Sequence, residues 1–258
     1  MNNKTIFITG ATAGFGKAIA FKFAAHGWNI VITGRKNDRL KKIEEEISTQ
    51  FGVKVLSLCF DVRKRNDVTK AISDLPHDWK KIDVLVNNAG LASGLALIQD
   101  GNIDDWEIMI DTNVKGLLYV SRAIMPLMIE NHSGHIINLG SIAGKEAYLK
   151  GNIYCATKFA VDAISKSMRI DMLQHGIKVT QISPGAAETE FSLTRFHGDA
   201  ERAKKTYEGY TPLNAEDIAD LVYFAATRPA HVVLNDIVVT PLAQASTSYI
   251  FKQPPKNN

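Results

Sequence analysis

The sequence predicts an α/β fold: one doubly wound parallel sheet with helices on both faces. Three observations carry that expectation. Short apolar, β-branched runs alternate with stretches of helical periodicity along the whole chain, the pattern of repeated βαβ units. The first run opens into a glycine-rich turn and then a helix, which is how such sheets begin a dinucleotide site. Arg35, Asp61, Asn88, Ser141 and Pro184 each fall just past the end of a predicted strand. Ligands of open parallel sheets lie beyond the carboxyl ends of the strands, so these residues converge on one edge.

Composition bounds the function. The 258 residues, 45% hydrophobic and 22% charged, suit one domain spanning 1–258 with a sizeable core. The net charge is +3 and the basic residues are scattered, so neither nucleic acid nor a membrane surface is an expected partner. No apolar run approaches the ~20 residues of a membrane span. Met1-Asn2-Asn3-Lys4 runs straight into the first strand, which leaves no room for a signal peptide and points to the cytoplasm. Cys59 and Cys155 both fall in apolar patterns, consistent with free thiols in a reducing compartment. The seven histidines show no metal-ligand spacing, and no catalytic metal is expected.

Taken in order, Thr5 to Thr9 is a buried strand, ending in Gly10-Ala11-Thr12-Ala13-Gly14-Phe15-Gly16. An amphipathic helix follows to about His26, closed by Gly27. Backbone N–H groups and a positive helix end are thereby placed where a diphosphate can sit. The spacing is GxxxGxG, not the GxGxxG of the general dinucleotide fingerprint. Trp28 to Thr33 is a second strand, followed by Gly34-Arg35-Lys36. An acid at this place would bond the ribose 2′-hydroxyl of NAD. Arg35 and Lys36 would instead hold the 2′-phosphate of NADP(H), the guanidinium bidentately.

Asp38 is positioned to cap a helix running to Phe51. Val53 to Phe60 is a third strand, closed by Asp61-Val62; Asp61 could accept from an adenine amino group or cap the helix at 64–75. Ile82 to Val86 is a fourth strand, running into Asn87-Asn88-Ala89-Gly90, whose small residues let the backbone approach a flat ring. Helical periodicity holds from Ile103 to about Ile129, with Trp106, Met109, Ile110, Val114, Leu117, Leu118 and Val120 as the apolar set. Asn113 falls inside it, an awkward place for a residue that favours caps and turns. His135 to Leu139 is a fifth strand before Gly140-Ser141, and Ile177 to Ile182 a sixth before Ser183-Pro184-Gly185. The polar stretch 186–211 is the candidate lid. A helix covers roughly Ala215 to Ala226, Val232 to Val239 gives the last strand, and 241–258 reads as an irregular tail ending at Pro254-Pro255.

The helix predicted over 152–174 carries Tyr154 and Lys158, four residues apart and therefore on one face. A free phenol has a pKa near ~10. A cation about 4 Å away at an effective dielectric near 20 favours the phenolate by roughly 4 kcal/mol. That would bring Tyr154 into the working range of a proton donor or acceptor.

Thr9-Gly10-x-x-x-Gly14-x-Gly16, Asn87-Asn88-Ala89-Gly90, Asn113, Ser141, Tyr154-x-x-x-Lys158 and Pro184-Gly185 together resemble the short-chain dehydrogenase/reductase family, over nearly the whole chain. GATAGFG at Gly10–Gly16, Leu91-Ala92, Asp105-Trp106-Glu107, Thr189-Glu190-Phe191, Arg195-Phe196 and Pro229-Ala230-His231-Val232 are similar to its NADP-dependent 3-hydroxy acid dehydrogenases, which act on serine, allo-threonine and related acids. The resemblance implies a Rossmann-like fold, NADP(H) as cofactor and a homotetramer. It implies cofactor contacts from Gly10, Thr12, Gly14, Phe15, Gly16, Arg35, Lys36, Asp61, Val62, Asn88, Ala89, Gly90, Tyr154, Lys158, Pro184, Gly185 and Thr189. It implies Tyr154 as proton donor, Ser141 on the same substrate oxygen, Lys158 on the tyrosine and the nicotinamide ribose, and Asn113 holding a water that links Lys158 to solvent. A carboxylate-bearing substrate needs a cation; Arg195 is the first candidate and Lys145 the second. Reductases of sugar-derived keto acids, of general aldehydes and ketones, or of oxoacyl carrier proteins would share the same machinery. A non-catalytic NADP-binding scaffold would not require all four of Asn113, Ser141, Tyr154 and Lys158.

Overall fold

A computed structural model describes residues 4–253. Its sheet has seven parallel strands: β1 (Thr5–Ile8), β2 (Asn29–Gly34), β3 (Val55–Cys59), β4 (Val84–Asn87), β5 (His135–Leu139), β6 (Lys178–Pro184) and β7 (Asp236–Val239). Their order is β3-β2-β1-β4-β5-β6-β7. Phe7 pairs with Val31 on one side and Leu85 on the other. The direction of winding reverses between β1 and β4, so a crevice opens at their carboxyl ends.

The helices are α1 (Gly14–Ala24), α2 (Asn37–Phe51), α3 (Arg65–Ser73), α4 (Ile103–Ile110), α5 (Leu117–Glu130), α6 (Asn152–Met172), α7 (Glu190–Arg195), α8 (Ala200–Lys205) and α9 (Ala215–Ala226). Alternate strand residues feed two cores, as the pleat requires. Ile6, Ile8, Ile30 and Ile32 pack with Phe23 of α1, Ile47 of α2 and Val222 of α9. Phe7, Val31, Leu85 and Ile136 pack on the other face with Ile72 of α3, Ile124 of α5 and Met168 of α6. Each such side chain contributes about 1.5–3 kcal/mol on burial. Gly176 ends the α6 region at φ +66°, a left-handed turn that aims the chain back into β6.

Several expectations are corrected. The helical run at 103–129 is broken by a π-helical turn, Asp111–Gly116. A π turn shifts the helical phase, and Ile110 and Leu118, expected to be buried, face outward, 39% and 40% exposed. Lys36 rather than Asp38 stands at the N-cap of α2, and no side chain caps it. The last strand starts at Asp236 instead of Val232. Cys59 is exposed at the end of edge strand β3, while Cys155 is buried. The candidate lid, 186–211, holds two short helices, α7 and α8. The tail residues Gln244 and Ile250 form an antiparallel bridge, and the Pro254-Pro255 end lies outside the described residues. No helix among the described residues is long and apolar enough to cross a membrane.

His135, at the start of β5, shares a hydrogen bond with the Thr180 hydroxyl at 2.7 Å. Burial, with help from Lys178, pushes its pKa down to about 3. An unfolded histidine protonates near 6.5. Between those values the unfolded state binds the extra proton, so stability falls as pH drops from about 6.5 toward 3, by up to about 1.4 kcal/mol per pH unit. His135→Gln, which keeps a polar partner for Thr180, is expected to flatten that part of the profile. Urea titrations of both proteins at several pH values check it; identical slopes would place the acid sensitivity elsewhere.

Candidate active site

The glycine turn leads off β1 with Gly10 at φ +66° and Gly14 at φ +51°, conformations that favour glycine. A Cβ on Gly10 would lie 2.9 Å from the Ala89 Cα, so the turn and the β4 loop touch. No side chain caps the N-terminus of α1. Its first-turn N–H groups are therefore free for an anion.

A cavity of about 500 Å³ opens along the carboxyl edge of the sheet. Its wall takes in, of the residues singled out from sequence, Gly10, Thr12, Gly14, Phe15, Arg35, Lys36, Asp61, Val62, Asn88, Ala89, Gly90, Ser141, Tyr154, Lys158, Pro184, Gly185, Thr189 and Arg195. Gly16 stands behind the wall. A Cβ there would meet the Gly10 carbonyl oxygen at 2.5 Å and the Asn88 amide at 2.6 Å, so its smallness serves packing of the turn on the β4 loop.

At one end, Arg35 and Lys36 are exposed just past β2, with Asp61 near enough to feel the Arg35 charge. This donor set fits a phosphate better than a hydroxyl. Asp61 nearby has its carboxylate held by the Arg63 guanidinium, with Nη2 at 2.6 Å, and by the Arg63 backbone N–H at 3.0 Å. Burial raises its pKa, but the Arg63 hydrogen bonds and charge outweigh that and hold it below the usual carboxylate range. It does not cap α3, whose N-cap is Lys64.

At the other end stand Ser141, Tyr154 and Lys158. The Ser141 hydroxyl accepts the Ala143 N–H at 3.1 Å. The Lys158 ammonium donates to the Leu139 carbonyl at 2.9 Å and lies 5.9 Å from the centre of the Tyr154 ring. Burial pushes Lys158 down to about 8. Tyr154 keeps part of its surface open to the cavity, yet desolvation pushes its phenol up to about 12, against the Arg195 guanidinium and the nearby Ser141 hydroxyl. The expected lowering of Tyr154 by Lys158 is thus overturned. A pair estimate at fixed dielectric leaves out the loss of water around both groups.

Asn113, buried in the π turn, accepts the Leu91 N–H at 2.8 Å and donates to the Leu91 carbonyl at 2.8 Å and the Thr157 hydroxyl at 3.0 Å. Both its N–H groups are spent within the protein, so a water held by Asn113 would donate to one of its oxygens. The Asn113 side chain ties the β4 loop to α6. Lys145 is not on the cavity wall: its ammonium binds Asp162 at 2.5 Å and also Asp236. Two carboxylates hold it against α6 and β7, so the expectation of a substrate cation there is withdrawn.

Other wall residues escaped the sequence reading. Arg39, in the first turn of α2, binds Glu190 of α7 at 3.0 Å. Gln244 accepts the Ala186 N–H at 2.7 Å, closing the wall with the tail. Tyr148, in an irregular loop with no periodicity, accepts from Arg195 at 2.7 Å.

Comparison with known proteins agrees with this geometry. The family model for short chain dehydrogenase matches residues 4–199. The NADP-dependent 3-hydroxy acid dehydrogenase YdfG of Salmonella typhi is 46% identical over 93% of this chain and 96% of its own. Sulfoacetaldehyde reductase 2 of Chromohalobacter salexigens is 43% identical over 95% of this chain and 96% of its own. The closed form of a serine dehydrogenase complexed with NADP+ superposes with a TM-score of 0.90 at 41% identity, covering 97% of this chain and all of that one.

Proposed function

The chain belongs to the short-chain dehydrogenase family, and from that premise we propose which of its side chains carry the reaction. It is an NADP(H)-dependent oxidoreductase acting on a small hydroxy acid or the corresponding aldehyde or keto acid. The observation that carries the residue assignment is the shared wall: Ser141, Tyr154, Lys158 and Arg195 line the same cavity as the glycine turn and Arg35.

The first-turn N–H groups of α1 would hold the diphosphate, Arg35 and Lys36 the 2′-phosphate, and Lys158 the nicotinamide ribose. When bound, the cofactor supplies a hydride to a carbonyl carbon or accepts one from a carbinol. Tyr154, whose phenol carries its proton at neutral pH, donates to the carbonyl oxygen as general acid. Ser141 donates a hydrogen bond to the same oxygen and stabilises negative charge developing there. The Lys158 ammonium, close to the phenol, stabilises the phenolate until solvent returns the proton. Asn113 keeps the β4 loop and α6 in register. Arg195 pairs with the acid tail of the substrate. The 186–211 stretch serves as a lid over the cavity, pinned in this state by Arg39–Glu190 and by the Gly94 N–H on the Arg195 carbonyl, 3.0 Å.

A panel of 3-hydroxy acids, semialdehydes, keto-uronates and sulfoacetaldehyde, run with NADPH and NADH or their oxidised forms, tests the reading. The expected result is turnover of three-carbon acids or semialdehydes with NADP(H). Sulfoacetaldehyde belongs in the panel because a sulfonate presents Arg195 with the same charge, and a 43% identical relative bears that substrate's name. Arg195→Ala is expected to raise KM for the acid far more than for an uncharged aldehyde; equal changes would remove Arg195 from recognition.

Self-association is part of the proposal. Ile103 of α4 and Ile170 of α6 are 64% and 75% exposed, and Leu242 of the tail fully so. Such apolar faces suit burial between copies. Light scattering is expected to give the mass of a tetramer.

A further inference from the structure

We propose that Tyr148 is a positioning residue that fixes the Arg195 guanidinium for a forked grip on the anionic tail of the substrate. The inference rests on the reading of Arg195 given above and adds what makes that cation selective.

The guanidinium is held on several sides. It donates to the Tyr148 hydroxyl at 2.7 Å and lies 4.9 Å from the Tyr154 ring centre and 5.2 Å from that of Phe191. Its Nε is buried and has no hydrogen-bond partner. A buried N–H without a partner is costly, and a bound anion would satisfy it. No carboxylate forms an ion pair with Arg195 among the described residues. Arg195, Tyr148 and Tyr154 also border a second, smaller cavity; Asp105 on its wall is taken by the Ser93 hydroxyl at 2.5 Å and by His197 at 3.4 Å.

Tyr148 is itself fixed. A Cβ on Gly151 would lie 2.5 Å from the Tyr148 ring, so the ring is packed directly on that glycine. Burial pushes the Tyr148 phenol up, against the Arg195 charge, and the hydroxyl keeps its proton. That hydroxyl accepts from Arg195, and its own O–H has no acceptor among the described residues. With one nitrogen on Tyr148 and the guanidinium held near the Tyr154 and Phe191 rings, Arg195 Nε–H is the donor left without a partner. A planar fork held at a set angle is what separates a bidentate arginine site from a point charge. Lys150, exposed on the same small cavity, is the rival cation.

The test compares 3-hydroxypropionate with propane-1,3-diol as substrates for NADP+ reduction, and measures malonate binding to the NADP+-loaded protein by calorimetry. Tyr148→Phe keeps the ring against Gly151 and should melt as wild type does. It is expected to raise KM for the acid and Kd for malonate about tenfold, with kcat for the acid and KM for the diol within about twofold. Arg195→Lys, which keeps the charge and loses the fork, should give the same acid-only rise. Lys150→Ala should change neither substrate. If Arg195→Ala weakens the acid selectively but Tyr148→Phe behaves as wild type, the positioning role is overturned while Arg195 remains the anion holder. If Arg195→Ala leaves the acid-to-diol ratio unchanged, the reading beneath it fails as well. A large effect of Lys150→Ala on malonate would move the anion to that residue and overturn the proposal.

Discussion

Tyr154→Phe is expected to bind NADPH as wild type does and to reduce its substrate about a thousandfold more slowly, within the range that a positioned acid contributes. The substitution removes one hydroxyl. The ring stays, and so does its edge-to-face contact with Phe191, 5.6 Å between centroids. The place of Arg195 over that ring is kept too. The loss therefore reads the proton and not the packing. Single-turnover measurements with saturating NADPH separate the two. A wild-type rate in the variant would take the phenol out of the mechanism, and a variant that no longer binds NADPH would make Tyr154 a cofactor residue instead of an acid. Binding without turnover by the wild-type protein on every carbonyl would revive the scaffold alternative.

Arg35→Ala is expected to raise Kd for NADPH about a hundredfold and to leave NADH within about twofold. The size follows from losing a charge-assisted, forked contact to a phosphate. Arg35 stands past β2 in place of the acid that selects the ribose 2′-hydroxyl. Lys36 and Arg39 line the same end of the cavity, so some preference for NADPH should survive. Fluorescence titration of both reduced cofactors checks it; equal weakening of the two would mean that Arg35 shapes the loop and does not meet the 2′-phosphate.

How much of this was legible in the sequence depends on the kind of signal. Periodicity is local, and it placed β5 and α9 within their observed bounds. The glycine turn and the residues after each strand were legible because the sheet brings strand ends to one edge whatever the side chains do. Backbone register inside a helix is not local in that sense. An apolar repeat cannot display a π turn, although Asn113 inside the repeat was a hint of one. Val232-Val233-Leu234 reads as strand, yet only Leu234 of the three packs against the core, and pairing begins at Asp236.

Charges were legible as charges and not as partners. Lys145 looked available because Asp162 and Asp236 are 17 and 91 residues away in the chain. The Tyr154–Lys158 spacing was read correctly, but its electrostatics depend on burial, which spacing does not contain. Tyr148 carried no signal at all: its partner Arg195 is 47 residues distant and arrives on a separate helix.

The central claim is that a hydride and the Tyr154 proton are delivered to one carbonyl of a small acid. Reduction of malonic semialdehyde with NADPH deuterated at the transferring position tests it most directly, with the product read by mass spectrometry. The account predicts one deuterium on the carbinol carbon of 3-hydroxypropionate, formed by the wild-type protein and about a thousandfold more slowly by Tyr154→Phe. Deuterated product formed equally well by both proteins, or none formed by the wild type although it binds NADPH, would contradict it.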